Sequence, residues 1–410
     1  MENSWIKYKI GDICEVRGGK RLPKGATLLN KKTIHPYIRL VDIYGNRINE
    51  DNIMYIAENV YKKISRYIVN KDDVCVAIVG NTIGMVFYVD KRWDGSNLTE
   101  NAVKIVCNNQ ISSKYLFYYL NSIYGQNEIN KGIVGSAQGK LPIYNVKNIE
   151  IYLPNKFEQN KIVSILSSFD DKIELNNEMN KTLEEMAQAI FKSWFVDFEP
   201  FKEVGFEESE LGMIPKGWKI LELSKLGNIV TGKTPSKNNP EHFGKEYKFI
   251  TPKDINGNIF ITKSERGLSN EGYEKMKKNM HYKYSIGVSC IGSDLGEVYL
   301  NDDEGFTNQQ INTLTLNNYK YYPYVYICLK NMKDDFKNMA SGSAVPIINK
   351  TAFSKIKIVV PSEKYIEDFY NKVDSIFRKM LININQNEEL NETRDTLLPK
   401  LISGKIRLND

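Results

Sequence analysis

Residues Gly227 to Thr234 read GNIVTGKT, which satisfies GxxxxGK[ST], the spacing of a loop whose backbone amides cradle phosphates while its lysine reaches them. In that use Lys233 would hold a nucleotide. Three features of the chain oppose it. Pro235 and Pro240 follow with SKNN between them, so the helix that such a loop must enter is not encoded. The matching residues of the first half, CEVRGGKR from Cys14, keep Gly19-Lys20 but put a cysteine where the first glycine belongs. The nearest magnesium-binding aspartate would come from VYLNDDE at Val298, which does not close a convincing strand.

A second kind of chemistry is spread more widely. Arg17 to Val41 holds seven basic side chains (Arg17, Lys20, Arg21, Lys24, Lys31, Lys32, Arg39) and no acidic one, in a Gly-, Thr- and Asn-bearing segment of the kind that contacts phosphates. TGKTPSKNNP repeats the theme in the second half with Lys233, Thr234, Ser236 and Lys237, and Lys253 follows in KFITPKDINGNIF. Other loops add amides, hydroxyls and a carboxylate: Asn81-Thr82, Ser293-Asp294, Ser136 with Gln138 and Lys140, and Ser341 with Ser343. Such groups read base edges in DNA, although ordinary turns use the same residue types. Recurrence at matching places in both halves favours the functional use.

Catalytic constellations are missing. His35, His242 and His281 have no ligand spacing, and the five cysteines (Cys14, Cys75, Cys107, Cys290, Cys328) are odd in number and scattered. Neither a metal site nor a disulfide framework is expected. The pairs Asp72-Asp73 and Asp302-Asp303 read as solvated turns, and no NPPY or DPPY motif, glycine-rich cofactor loop or helicase motif set occurs. Fifty-six basic against 50 acidic residues leave a net charge of +6, which permits a polyanionic partner without requiring one. No signal peptide opens the chain and no apolar run approaches 18 residues, which predicts a cytoplasmic protein with no membrane contact. A length of 410 residues suits two or three domains.

These side chains need a scaffold that presents them twice, and the chain encodes one by duplication. Trp5 to Lys20 matches Trp218 to Lys233, and PYIRLVDIYGNRI from Pro36 resembles KFITPKDINGNIF from Lys248. GNTIG from Gly80 matches GSDLG from Gly292, and GSAQGKLP from Gly135 matches GSAVP from Gly342. VCVAIV and IEIYL alternate as strands, while KYLFYYLNSIY reads as a short amphipathic helix. The expected fold class is α+β. Its parts are two duplicated domains at 1–155 and 217–361, long helices at 156–198 and 362–404, and an acidic, Pro- and Gly-bearing linker at 199–216.

The long helices carry a coiled-coil seam, with apolar residues at alternating steps of four and three. In the first it runs through Ile162, Leu166, Phe169, Ile173, Asn176, Asn180, Leu183, Ala187, Ile190 and Trp194. In the second it runs through Phe369, Val373, Ile376, Met380, Asn383, Asn387, Leu390, Arg394, Leu397 and Leu401. At roughly 39 residues each is about 58 Å long, too long for one small core to cover, so each is the other's partner. Antiparallel pairing sets Ile162 on Leu401, Ile173 on Leu390, Asn176 on Asn387, Asn180 on Asn383 and Trp194 on Phe369, whereas a parallel pairing would also set asparagine on asparagine, so the seam alone leaves the direction open. Buried asparagine pairs fix register at a cost in stability. Phe169 then opposes Arg394, a discord that a cation-π contact would relieve. Pro399 should kink the last turns of the second helix, and Gly404 suits its C-cap.

WFVDFEP after the first long helix, RDTLLPKLISGKI near the C-terminus, TGKTP, and LP with Glu158-Gln159 at the start of the first helix carry a resemblance. Across essentially its whole length the chain resembles the DNA-specificity subunit of type I restriction-modification systems. The second copy departs from the pattern at Ile366-Glu367, where Glu-Gln would stand. The resemblance implies two target-recognition domains, each reading half of a bipartite site in double-stranded DNA. They would be held apart by antiparallel helices with a pseudo-two-fold relation. It also implies docking of methyltransferase subunits, two of them, and of ATP-dependent restriction subunits on those helices. S-adenosylmethionine, ATP and magnesium would belong to these partners, and this chain would hold no cofactor and catalyse nothing. A P-loop nucleotide-binding protein and a coiled-coil adaptor without DNA readout are the alternatives.

Overall fold

The computed structural model describes residues 5–50, 52–135, 139–255, 257–340 and 346–408. The chain forms two compact units, one comprising Met1–Lys172 and Leu390–Asp410, the other Ile173–Glu389. Each unit thus holds the first part of one long helix and the last part of the other. No described helix is long and apolar enough to cross a membrane.

In the first unit, β1 (Ile6–Lys9) pairs antiparallel with a strand far along the chain, Glu150–Leu153, which leads into the first long helix. Between them β2 (Cys14–Gly18), β3 (Val74–Ala77), β4 (Val86–Tyr88) and β5 (Ala102–Cys107) make an antiparallel sheet in the order β2-β5-β3-β4. Every residue of β3 is buried, as its uninterrupted apolar run requires. Helix α1 (Ser113–Asn121) covers the sheet with Tyr115, Leu116, Tyr118, Tyr119 and Leu120. KYLFYYLNSIY is not one helix but two, broken at Ser122, whose hydroxyl accepts from the Gly125 amide to start Ile123–Lys131. Cys14 and Cys107, register partners on β2 and β5, are free thiols with their sulfurs 3.7 Å apart.

With β6 (Glu150–Leu153) and α2 (Lys156–Phe195) the first half ends and the plan begins again. Strand β7 (Lys219–Glu222) pairs with a strand at Lys357–Val360, in register Lys219 to Val360. The second unit's central sheet uses β8 (Gly227–Thr231), β9 (Phe260–Ile261), β10 (Ile286–Ser289), β11 (Val298–Asn301) and β12 (Ile311–Leu316), in the order β8-β12-β10-β11-β9. Its cover is α3 (Tyr322–Asn331), in which Tyr322, Tyr324, Val325, Tyr326, Ile327 and Leu329 are buried. β13 (Lys357–Val360) and α4 (Glu363–Ile402) complete the copy. The segment expected as a linker is folded: a 3-10 turn at Glu199–Val204 precedes a hairpin of Phe206–Ser209 with Gly212–Pro215.

α2 and α4 are each 40 residues long, about 60 Å at 1.5 Å per residue. In the second unit they run antiparallel. Asn176 donates to Asn387 Oδ1 at 2.8 Å and to Gln386 at 3.0 Å, and Asn387 donates to Asn177 at 2.8 Å. Asn383 donates to Asn180 at 2.8 Å, and Asn180 reaches the Met380 carbonyl at 3.3 Å. Leu183, Ile190, Trp194, Phe369, Val373 and Met380 share the apolar core of that unit. In the first unit Ile162 and Leu166 pack in one core with Leu397 and Leu401. Ile173 and Leu390, at the divide, are half-buried. Each fully buried apolar side chain contributes about 1.5–3 kcal/mol. One expectation fails. Arg394 ion-pairs with Asp170 at 2.6 Å instead of stacking on Phe169, because a carboxylate one residue further along α2 is a stronger partner for a guanidinium than a ring face. Pro399 lies within α4, which continues to Ile402 before Gly404 turns the chain at φ +69°.

The segments after the helices close each unit over its leading tryptophan. After α2, Phe198 adopts φ +52° and the rings of Phe198 and Phe201 lie 5.6 and 5.0 Å from that of Trp218. After α4, the Arg407 guanidinium sits 5.0 Å from the Trp5 ring. The copies differ beneath. The Trp5 indole donates to Glu158 at 3.0 Å, whereas the buried Trp218 indole nitrogen has no hydrogen-bond partner among the described residues.

A double-mutant cycle tests the asparagine register. Asn387→Leu alone should cost roughly 1–3 kcal/mol because it takes the shorter of two acceptors from the buried Asn176 amide and leaves it only Gln386. Adding Asn176→Leu should recover part of that loss. Strictly additive unfolding free energies would show that the two side chains do not pair.

A candidate nucleic-acid interface

In the first unit four loops are stitched together at one end of the central sheet. The Gly19 amide donates to the Ala102 carbonyl at 3.0 Å and the Lys20 amide to Leu98 at 2.9 Å. Ile78 donates to Asn101 at 2.8 Å, Leu141 donates to Ile78 at 2.9 Å, and Lys140 bridges Val79 and Val134. Thr99 donates to Ile38 at 3.1 Å. The second unit repeats these bonds. Gly232 donates to Ile311 at 3.0 Å, Lys233 to Thr307 at 2.9 Å, Cys290 to Gln310 at 2.7 Å, Ile348 to Cys290 at 2.9 Å and Asn308 to Ile250 at 3.1 Å.

Glycine makes the stitch possible. A Cβ on Gly19 would stand 2.0 Å from the Thr99 carbonyl oxygen, and one on Gly232 would stand 2.1 Å from that of Asn308. No other residue lets the two backbones meet so closely. The turns beside them also rest on glycines, with φ +70° at Gly80, +86° at Gly84, +93° at Gly292 and +89° at Gly296. In the first unit the Tyr37 hydroxyl donates to the Lys20 carbonyl at 2.8 Å, and burial pushes its pKa up to about 12, so it remains a donor at neutral pH.

The next residue on each turn meets the same partner loop. Arg21 Nε donates to Glu100 at 2.6 Å, and Thr234 donates to Gln309 Oε1 at 2.7 Å. Partial burial, the largest single influence, raises the Glu100 pKa, but the hydrogen bonds from Arg21, its own backbone amide and Thr99 together with the Arg21 charge hold the carboxyl below its ordinary value. Lys20, Lys24, Asn81, Lys140, Lys233, Ser236, Lys237, Lys253, Ser293 and Asp294 are exposed. The Thr82 hydroxyl turns back to the Val79 carbonyl at 3.2 Å, and Ser293 donates to Asp294 at 3.3 Å. Arg17 and Arg39 each carry an ion pair. Arg17 forks onto Glu15 with two 2.6 Å bonds, and Arg39 onto buried Asp42 at 2.6 and 3.0 Å, each having a carboxylate two or three residues away. Ser136, Gln138, Ser341 and Ser343 lie outside the described residues.

Sequence reading missed Thr99-Glu100-Asn101 and Asn308-Gln309-Gln310, the loops on which both turns rest. The signal was present: these triplets precede β5 and β12 at matching distances in the two copies. GNIVTGKT is not a phosphate loop. Gly227–Thr231 is strand β8, paired along its length with β12, and the Gly232 and Lys233 amides are already bonded. The next helical turn is the three-residue Pro240–His242. Two histidines are structural: His35 bonds Glu58 at 2.6 Å and stacks on Tyr61, while burial lowers the His281 pKa to about 3 and keeps it neutral.

Set beside known proteins, the chain matches a family model described as Type I restriction modification DNA specificity domain, over residues 2–185 and 215–393. It is 30% identical over 471 residues to the type I restriction enzyme HindI specificity subunit of Haemophilus influenzae, covering 98% of this chain and 100% of that one. It is 29% identical over 429 residues to the MjaIX specificity subunit of Methanocaldococcus jannaschii, covering 100% of this chain and 95% of the relative. Among solved structures, the type I restriction-modification S subunit from M. genitalium shares the fold with a TM-score of 0.58 at 20% identity, covering 98% and 97% of the two chains.

If the glycine stitch holds the loops, Gly19→Ala and Gly232→Ala should each destabilise their own unit by roughly 1–3 kcal/mol, the usual cost of forcing atoms into filled space. Urea unfolding followed by probes in each unit would read this. Unchanged midpoints for both variants would show that the approach is looser than described.

Proposed function

The chain belongs to the type I restriction-modification DNA specificity family, and from that premise we propose that it reads a bipartite sequence in double-stranded DNA, one part with each unit, and directs partner enzymes to it. Its role is that of the specificity subunit, not of the catalyst. The partners are methyltransferase and restriction subunits that dock on α2 and α4, and S-adenosylmethionine, ATP and magnesium act in them. The work is done on DNA in the cytoplasm.

One observation supports this reading above the others. Five backbone hydrogen bonds of the loop end recur in both units, while the side chains mounted there differ, with Arg21 and Glu100 at one and Thr234 and Gln309 at the other. Two readers of unlike half-sites need that combination. A shared backbone places the groups, and base-edge chemistry is decided by the side chains placed. Exposed Lys20, Lys24, Lys233 and Lys237 beside these loops supply the phosphate contacts.

Equilibrium binding to mixed-sequence duplex across a salt series tests it. The wild-type chain should lose affinity steeply as salt rises and should not bind ATP. Lys20→Ala combined with Lys24→Ala should weaken binding to every duplex. It should also reduce the slope of log K against log salt by roughly two, at about 0.9 per phosphate contact. Binding of ATP, or duplex affinity indifferent to salt, would sink the proposal.

A further inference from the structure

Resting on the reading that these loop ends face DNA, we propose that the pairs Arg21–Glu100 and Thr234–Gln309 are the equivalent base-reading positions of the two units, Arg21 taking a guanine and Gln309 an adenine.

The two pairs occupy one place in the scaffold. Each follows the glycine-lysine turn directly, and each is anchored on the middle residue of the partner loop whose backbone the preceding glycine touches. Both anchors are therefore held at backbone precision, although the side chains project outward. The chemistry of the two projections differs. Glu100 holds Arg21 by Nε alone, and Thr99 donates to the other Glu100 oxygen at 3.2 Å. The Arg21 side chain is 80% exposed, and its two Nη groups donate to no described residue. A guanidinium clamped at its base with both terminal nitrogens facing outward is a fixed two-donor fork. On the edges of B-DNA bases a two-acceptor partner is guanine, through O6 and N7.

In the second unit no cation stands at this place. Thr234 donates to Gln309 Oε1 and fixes the amide plane, leaving a second lone pair on Oε1 and the Nε2 hydrogens exposed. One acceptor beside one donor matches the N6 and N7 edge of adenine. Arg39, the other guanidinium near the loop end, cannot take the first role, because its fork is closed on Asp42 and the Asn52 carbonyl.

Methylation profiling of a host carrying the chain with its methyltransferase reads the target base by base. Arg21→Ala should lower the preference for guanine at one position of one half-site by about 5- to 150-fold, the range a bidentate pair supplies. The other half-site should be untouched. Gln309→Ala should relax one adenine in the other half-site. The transplant Thr234→Arg with Gln309→Glu should convert that adenine to guanine, and Arg21→Gln should shift the first position toward adenine. Variants that methylate the wild-type sequence unchanged overturn the assignment and leave the DNA-reading function intact. So does loss of all methylation in every variant while mixed-sequence duplex is still bound with wild-type salt dependence, because a base reader alters one position. A wild-type chain that yields no bipartite motif and binds no duplex fails the underlying reading instead.

Discussion

The structure depends on the match between two stripes that neither domain could cover alone. A 40-residue amphipathic helix exposes about 60 Å of apolar surface, and a compact domain of some 150 residues is not long enough to bury it. α2 and α4 solve this for each other. The asparagines at their middles set which residues face, since Asn176 with Asn387 and Asn180 with Asn383 make their hydrogen bonds only in one alignment. Slipping by a heptad would bury leucine against amide, so the polar pairs act on register more than on stability.

The end of each helix is where that register matters within a unit. The segment after α2 stacks Phe198 and Phe201 on Trp218, and the segment after α4 lays Arg407 on Trp5. The two closures use different chemistry at one place. The first unit has a polar version, with buried Glu158 accepting from the Trp5 indole and buried Gln159 bonded to Ser112, Gln110 and Pro154. The second has an aromatic version, where Ile366 stands near the glutamine's place and phenylalanines and Tyr365 surround Trp218. In that aromatic nest the Trp218 indole nitrogen finds no acceptor among the described residues, and the surrounding rings make edge-on and tilted contacts with it instead.

The loop ends show a similar division between backbone and side chain. Two glycines allow a contact at a distance that any Cβ would forbid, and that contact fixes the geometry on which the exposed groups are mounted. Because the fixing is done by main-chain atoms, the side chains above are free to vary between copies without disturbing it. A scaffold of this kind can change what it reads without changing how it folds.

Periodicity and duplication were enough to locate both long helices, the seam with its central asparagines and several strands, because each depends on local pattern, whereas the direction of pairing did not follow from the stripe, since a parallel pairing also sets asparagine on asparagine. The recurrence of the glycine-lysine turn also pointed to a loop end that both units build with the same backbone bonds. What only the tertiary structure decided is which side chains the candidate groups meet. Arg17 and Arg39 counted as free cations in a segment without acids, yet Glu15 and Asp42, just outside or beyond its reach in the linear count, hold them. Glu100 and Gln309 lie 79 and 75 residues from the side chains they anchor, and no local pattern reports a contact across that separation. GNIVTGKT satisfied a motif by spacing and failed it by conformation, since its amides were already bonded to a strand 81 to 89 residues away. A linear pattern encodes what repeats along the chain, whereas hydrogen-bond satisfaction is settled by whichever groups the fold brings within reach.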